Sequence, residues 1–121
     1  MTVKIKRFDV VLVDFGNDII GSEQGGIRPA VVVQNDDGNL HSSTTIVMPL
    51  TKNITKNSKQ PTHALLYKKE GNGLRVNSMI LGECIRQISE KRILKHLGSI
   101  TNDNQRKDIK KVYDANFGMG W

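Results

Sequence analysis

The sequence predicts a mainly β protein with α additions, in which a small twisted antiparallel sheet is followed by a C-terminal helix. Two observations predict this α+β class. At least five apolar runs of strand length fill most of the chain, and an amphipathic helical stripe appears only near its end. The chain has 121 residues, which is the size of one domain. We therefore expect residues 1–121 to form a single domain.

Three strands are predicted in the first half of the chain. Residues 8–15 are rich in Val and Phe, and residues 29–34 form a continuous apolar run typical of a central strand. Residues 16–28 lie between these strands, hold four glycines and are predicted to form a long mobile loop. Residues 35–39 are a dense turn signal. Residues 44–50 then form a third strand, which makes a hairpin with the second.

Two further strands follow a basic loop. Residues 51–61 hold three lysines and no acidic residue, which indicates a solvated loop. Residues 62–67 are predicted to form the fourth strand and residues 78–88 the fifth. Gly82 lies within the fifth strand, where a glycine indicates a break or a bend.

Helices are predicted only at the C-terminal end. Ser89 can cap a helix over residues 90–97, and Gly98 would end it. Asn102 can cap a second helix over residues 103–116. The apolar positions of this last helix form one stripe that should face the core: Ile109, Val112, Tyr113 and Phe117.

The charge balance indicates a polyanionic partner. Eighteen Lys and Arg against twelve Asp and Glu give a net charge of +6 and a pI near 9.6. Charge alone leaves open whether that partner is nucleic acid.

Several functional classes are excluded by what the sequence lacks. The single cysteine, Cys84, excludes an internal disulfide framework and paired-cysteine zinc sites, and it suits a reducing cytoplasm. No run approaches ~20 apolar residues, so we expect no membrane span. The three histidines lie on different predicted elements and no nucleotide-binding glycine motif is present, so we expect no metal and no cofactor.

Arg28 is the first candidate functional residue. It ends the glycine-rich segment 21–29, and Pro29 biases its backbone towards an extended conformation at the start of a buried strand. The planar fork of an arginine can bind two phosphate oxygens. The alternative role is a loop arginine in a salt bridge with Asp36 or Glu23.

Thr51 is the second candidate, because antiparallel pairing brings it close to Arg28. If the second and third strands pair, the start of one lies beside the end of the other. A guanidinium and a hydroxyl would then hold one phosphodiester. The alternative is an ordinary hydroxyl at a strand end.

The motifs around these two residues resemble the MazF/PemK toxin family, most closely its endoribonucleases from Gram-positive bacteria. The resemblance covers roughly residues 5–115. It depends on segments 21–29, 31–36, 48–51, 61–63, 78–86, 91–93 and 97–98. It implies a Src-homology-3-like barrel of the MazF/PemK/CcdB type with a C-terminal helix, acting as a homodimer in the cytoplasm. One departure is Phe8, which stands where the family usually has a glycine.

The resemblance also implies a reaction. Family members cleave single-stranded RNA, and mRNA in particular, at specific sequences without a metal. The RNA 2′-OH attacks the phosphate and leaves a 2′,3′-cyclic phosphate and a 5′-OH. An acidic antitoxin of the MazE type neutralises the toxin. The essential arginine and threonine of the family fall on Arg28 and Thr51.

Other positions are expected to bind RNA or to move a proton. Because arginine keeps its proton at neutral pH, a separate proton acceptor is needed, and His63 is a weak candidate with a structural role as its alternative. Aromatic residues make up only 5% of the chain, which disfavours a base-stacking platform. The expected RNA-binding residues are Ser22, Glu23, Gln24, Gly25, Gln34, Lys52, Lys56 and Lys59.

Two functions other than RNA cleavage stay open. A non-catalytic toxin of the same fold could inhibit DNA gyrase by protein–protein contact, although such an inhibitor would not need the arginine–threonine pair. A basic RNA-binding module without activity is the second, and the scarcity of aromatic residues argues against it.

Overall fold

The computed structural model describes residues 4–17, 20, 24–54 and 60–118 of the chain. Within these residues the strands and helices, in chain order, are β1 (Asp9–Asp14), β2 (Ile27–Val32), α1 (Asp36–His41), β3 (Thr44–Thr51), β4 (His63–Leu66), β5 (Ser78–Leu81), β6 (Arg86–Ser89), β7 (Ile93–Ser99) and α2 (Asp103–Ala115). The predicted class, mainly β with a C-terminal helix, is confirmed. Across the described ranges, no helix has both the length and the apolar character that crossing a membrane requires.

The strands form one antiparallel sheet in the order β4-β5-β3-β2-β1-β7, with β6 paired to β3 next to β5. β2 is central, because it pairs with β1 on one side and with β3 on the other. Its Val31 lies in one buried cluster, while Ala30 and Val32 lie in a second. Since successive side chains of a strand point to opposite faces, the two clusters cover the two faces of the sheet. The prediction of a strand buried on both faces is therefore confirmed.

Helix α2 covers one of these clusters. Asn102 caps the helix by accepting a hydrogen bond from the backbone N of Gln105 at 3.0 Å, as predicted. Ile109 and Val112 are fully buried and Tyr113 packs beside them. The predicted stripe is wrong only at Phe117, which is 54% exposed because it follows the last residue of the helix.

The predicted break at Gly82 is confirmed. A 3₁₀ turn over Gly82–Cys84 separates β5 from β6, and both strands pair with β3. A Cβ atom at position 82 would lie 2.3 Å from Cγ1 of Val112 and 2.6 Å from the carbonyl oxygen of Thr62. The absence of a side chain therefore lets α2 and the start of β4 approach the sheet closely.

The predicted helix over residues 90–97 is wrong. Ser89 does accept a hydrogen bond from the backbone N of Lys91, but the cap starts only a 3₁₀ turn over Glu90–Arg92. Strand β7 follows and pairs with β1 along its length. A short apolar run is ambiguous between helix and strand, and here pairing with β1 decides the outcome.

The turn predicted at residues 35–39 is also wrong, because these residues cap and begin a helix. These residues begin the short helix α1, and the Asn35 side chain accepts a hydrogen bond from the backbone N of Gly38 at 2.8 Å. Asn, Asp and Gly favour both turns and helix caps, so composition alone does not separate the two.

Phe8 has a left-handed backbone conformation, with φ of 77°. Its backbone N donates to the carbonyl of Val32 at 2.8 Å, and its carbonyl accepts from the backbone N of Ile100 at 2.9 Å. The ring packs against the core, and the Arg106 guanidinium lies 4.6 Å from the ring centroid. These contacts hold a conformation that costs a non-glycine residue about 1–2 kcal/mol.

We expect Phe8→Gly to be more stable than Phe8→Ala by about 1 kcal/mol, because both lose the ring and only glycine relieves the left-handed strain. Urea denaturation of the two variants gives the difference in the free energy of unfolding. Equal stabilities would show that position 8 is not strained.

Candidate functional site

A cavity of about 560 Å³ opens where β2 begins and β3 ends. Strands β1 and β7 and the segment between β4 and β5 complete its walls. Both sequence candidates, Arg28 and Thr51, line it. The other lining residues are Leu12, Ile27, Pro29, Leu50, Lys52, Gly73, Leu74, Arg75, Val76, Ser78, Lys95 and Leu97.

The register of the β2–β3 hairpin explains why Arg28 and Thr51 lie together. Ala30 pairs with Pro49 and Val31 pairs with Met48. The paired residues of β2 and β3 end at Ala30 and Pro49; extending this register by two residues would set Arg28 opposite Thr51, and both residues line the same cavity. Directly opposed residues of antiparallel strands project their side chains to the same face of the sheet. The structure thus brings together the two residues that the hairpin argument predicts to be neighbours.

Arg28 is half-buried and is held by the loop that precedes it. Its Nη1 donates to Oε1 of Gln24 at 2.6 Å, and its Nε donates to the carbonyl of Gly25 at 3.2 Å. Both acceptors are neutral, and Arg28 forms no ion pair with any described residue. A salt bridge to Asp36 is therefore wrong, while Glu23 lies outside the described residues. The positive charge of the guanidinium is left for a ligand.

The Thr51 hydroxyl is oriented by the chain that follows it. Its Oγ1 accepts a hydrogen bond from the backbone N of Asn53 at 3.1 Å. The oxygen is used here as an acceptor, so the hydroxyl proton can be donated to a ligand oxygen.

The cavity has a strongly positive lining. None of its lining residues is Asp or Glu. Four of them are cationic: Arg28, Lys52, Arg75 and Lys95. A concave site lined by one sign of charge concentrates ligands of the opposite sign. The arrangement therefore suits an anion with several phosphates.

Sequence reasoning missed Arg75 and Lys95. Lys95 lies on β7 opposite Leu12, and the wrong helix prediction concealed this pairing. Arg75 follows a turn whose Asn72 side chain bonds the carbonyl of Tyr67 and the backbone N of Leu74. A Cβ atom on Gly98 would lie 2.5 Å from this turn, so the segment with Arg75 packs directly on β7. No local sequence signal indicates either contact.

The structure does not bring every predicted residue to the cavity. Gln24 and Gly25 lie beside Arg28 and hold it, whereas Lys52 lines the wall. Gln34 is directed elsewhere, since its Nε2 donates to Oδ1 of Asn39 at 3.1 Å and to the Thr44 carbonyl at 3.0 Å. The remaining four predicted RNA-binding residues lie outside the described residues: Ser22, Glu23, Lys56 and Lys59.

His63 is not among the lining residues. It is a buried residue of β4 whose Nε2 lies 2.7 Å from Oε2 of Glu83. Gln60 and Thr62 also donate hydrogen bonds to Glu83, at 3.3 and 3.4 Å. The imidazole thus belongs to a polar cluster at the edge of the sheet. In the described part of the chain, no group of three or more His, Cys, Asp or Glu could hold a metal ion.

Comparisons with known proteins agree with this fold. A family model described as PemK-like, MazF-like toxin of type II toxin-antitoxin system matches residues 6–113. A curated Staphylococcus epidermidis protein named endoribonuclease MazF is 39% identical over 115 residues, which cover 95% of this chain and 92% of the relative.

Solved structures share the fold. A mycobacterial endoribonuclease solved with its cognate antitoxin has a TM-score of 0.74 at 19% identity, covering 97% of this chain and 98% of that one. The crystal structure of MazF from Deinococcus radiodurans has a TM-score of 0.71 at 22% identity, covering 92% of this chain and 94% of that one. These matches place the molecule in the structural class of MazF toxins. The chain belongs to the PemK-like, MazF-like family of type II toxin–antitoxin toxins, and the resemblance seen in its motifs is confirmed.

Proposed function

We propose that this protein is an endoribonuclease toxin that cleaves single-stranded RNA, including mRNA, at specific sequences. The observation that supports this most strongly is that Arg28 and Thr51 line one cavity, whose lining holds four cations and no acidic residue. The name of the staphylococcal relative, endoribonuclease MazF, supports the same activity.

In the proposed reaction, the RNA supplies its own nucleophile. The 2′-OH passes its proton to a solvent water and attacks the adjacent phosphorus, and the bond from phosphorus to the 5′-oxygen breaks. The 5′-oxygen takes up a proton, so the products are a 2′,3′-cyclic phosphate and a 5′-OH. The protein must hold the phosphate in line and stabilise the charge that develops on its oxygens.

Arg28 and Thr51 suit these two tasks. The guanidinium donates from Nε to the Gly25 carbonyl and from Nη1 to Oε1 of Gln24, which leaves Nη2 directed to no described acceptor. Nη2 can therefore bind the phosphate oxygens, and Thr51 can donate to another of them. Arg28 can stabilise the charge that develops on the phosphate, and Lys52, Arg75 and Lys95 can bind other phosphates of the RNA strand. These cations support a reaction that needs no metal.

We propose that an acidic antitoxin of the MazE type neutralises the toxin. A chain of net charge +6 attracts an acidic segment, which can occupy the cationic cavity in place of RNA. The mycobacterial neighbour was solved with its cognate antitoxin. We also propose a cytoplasmic homodimer, which exposed apolar residues such as Leu94 on the edge strand β7 support.

We expect Arg28→Ala to lower kcat for cleavage of single-stranded RNA by about a hundredfold to a thousandfold, because the developing charge loses its main donor. Thr51→Val should lose about tenfold, whereas Thr51→Ser should keep most activity. The rate of cleavage of a fluorogenic RNA pool in EDTA is measured for the unmodified protein and for each variant. Lys111→Gln, an exposed residue outside the cavity, is the control. Full activity of Arg28→Ala would contradict the proposal, and absence of cleavage by the unmodified protein together with inhibition of DNA gyrase would favour the non-catalytic alternative.

We expect Lys95→Gln to reduce the slope of log affinity against log salt concentration by about 0.7, the value for one phosphate contact on a single strand. Lys91→Gln removes the same charge from the exposed turn before β7, outside the cavity, and should leave the slope unchanged. Fluorescence anisotropy with a non-cleavable 2′-methoxy RNA gives both slopes. A similar change in the two variants would show that only net charge matters.

We propose that His63 positions Glu83 and transfers no proton, because it is buried beside the Glu83 carboxyl group and is not a lining residue of the cavity. His63→Gln keeps a donor near Glu83, and we expect its kcat to stay within about twofold of the unmodified protein across the pH range. A general base contributes at least a hundredfold. Loss of that size in a variant with an unchanged melting temperature would restore His63 as the proton acceptor.

A further inference from the structure

A second cavity, of about 440 Å³, lies between helix α2 and the chain that enters β1. Its walls share no residue with the cavity that contains Arg28 and Thr51. Its apolar part is formed by the Phe8 ring, the buried Val33 and Ile109 and the half-buried Tyr113. The remaining lining residues are charged: Arg7, Asp103, Arg106, Lys107, Lys110 and Asp114.

Two arginines of this cavity are each held by a hydrogen bond from Nε, and their terminal nitrogens donate to no described residue. Nε of Arg7 donates to the carbonyl of Val33 at 3.0 Å, and Nε of Arg106 donates to the carbonyl of Ile100 at 2.7 Å. Among the described residues, the terminal nitrogens of both guanidinium groups have no acceptor and form no ion pair. Anchoring through Nε removes much of the entropy cost that an arginine pays when it binds an anion.

The acidic residues of the rim do not neutralise this pair. Asp114 bonds Lys110 at 2.7 Å one helical turn away, and Asp103 is exposed in the first turn of α2. Four cations against two carboxylates leave an excess of positive charge around an apolar floor.

One residue of the apolar floor, Phe8, has a strained backbone conformation. Phe8 keeps a φ of 77°, its ring lies under the Arg106 guanidinium, and the same ring is a wall of the cavity. Strained residues that the surrounding contacts maintain are concentrated at binding sites.

We propose that this cavity docks an acidic peptide segment, with one large apolar side chain between Phe8 and Tyr113 and flanking carboxylates on Arg7 and Arg106. Charge complementarity with the rim selects an acidic segment, and the apolar floor selects an apolar anchor within it. A cavity of this volume holds one large side chain and part of its neighbours. The proposed peptide site shares no lining residue with the cavity of Arg28 and Thr51.

The test uses an array of short fluorescent peptides in which Leu, Phe or Trp stands between glutamates. Matched peptides carry glutamines in place of the glutamates, or glycine in place of the apolar residue. We expect fluorescence anisotropy to show binding of the acidic apolar peptides, about tenfold weaker binding of the glutamine set and no binding of the glycine set. Amide NMR shifts of the full chain should change at Phe8, Arg106 and Tyr113.

Variants distinguish specific binding by the two guanidinium groups from a general effect of positive charge. Arg106→Gln and Arg7→Gln should each weaken peptide binding by about tenfold, while Lys111→Gln, on the same helix but outside the cavity, should change it less than twofold. Arg7→Gln keeps the bond from the backbone N to Asp36 but loses the Nε bond to Val33, so the melting temperature of each variant is measured as the control for folding.

Three results would overturn the proposal. The first is that no peptide of the array binds, and the second is that binding is unchanged in both arginine variants. The third is that single-stranded RNA shifts the α2 amides and loses affinity in Arg106→Gln, which would assign the cavity to RNA. Retention of RNA cleavage in these variants is expected, so failure here leaves the proposed nuclease activity standing.

Discussion

Pairing of β2 with both of its neighbours is the constraint on which the site depends. β2 is buried on its two faces and hydrogen-bonded along its two edges, so its register cannot slip without moving Ala30, Val31 and Val32 out of the core. The first polar residue at its beginning is Arg28. Its position is therefore set by the packing of residues that take no part in chemistry.

The sheet and the loop before β2 each fix a different part of Arg28. The sheet fixes the backbone of Arg28 through its pairing with Val13 of β1, and the loop residues Gln24 and Gly25 fix the direction of its guanidinium through neutral acceptors. Because those acceptors carry no charge, they orient the arginine without neutralising it. A carboxylate in their place would compete for the same donors with the RNA phosphate that we propose as the ligand of Arg28.

Much of the fold followed from the sequence where local signals and tertiary packing agree. The β2–β3 hairpin, the break at Gly82 and the Asn102 cap each have a short-range physical cause, and each was predicted. β7 was not, because residues 90–97 satisfy both a helix cap and a strand pattern, and only the unpaired edge of β1 selects the strand. Lys95 was missed from the site for this reason alone. Phe8 escaped prediction for another reason: only contacts distant in sequence maintain its left-handed backbone.

The cationic cavity has a thermodynamic consequence for the whole molecule. Like charges gathered on one wall repel one another in the unliganded protein, and this repulsion disappears on unfolding as the chain expands. Any polyanion that binds the native chain alone shifts the folding equilibrium by mass action. The melting temperature of this toxin and its resistance to proteolysis therefore depend on the polyanions and salt around it as well as on its sequence.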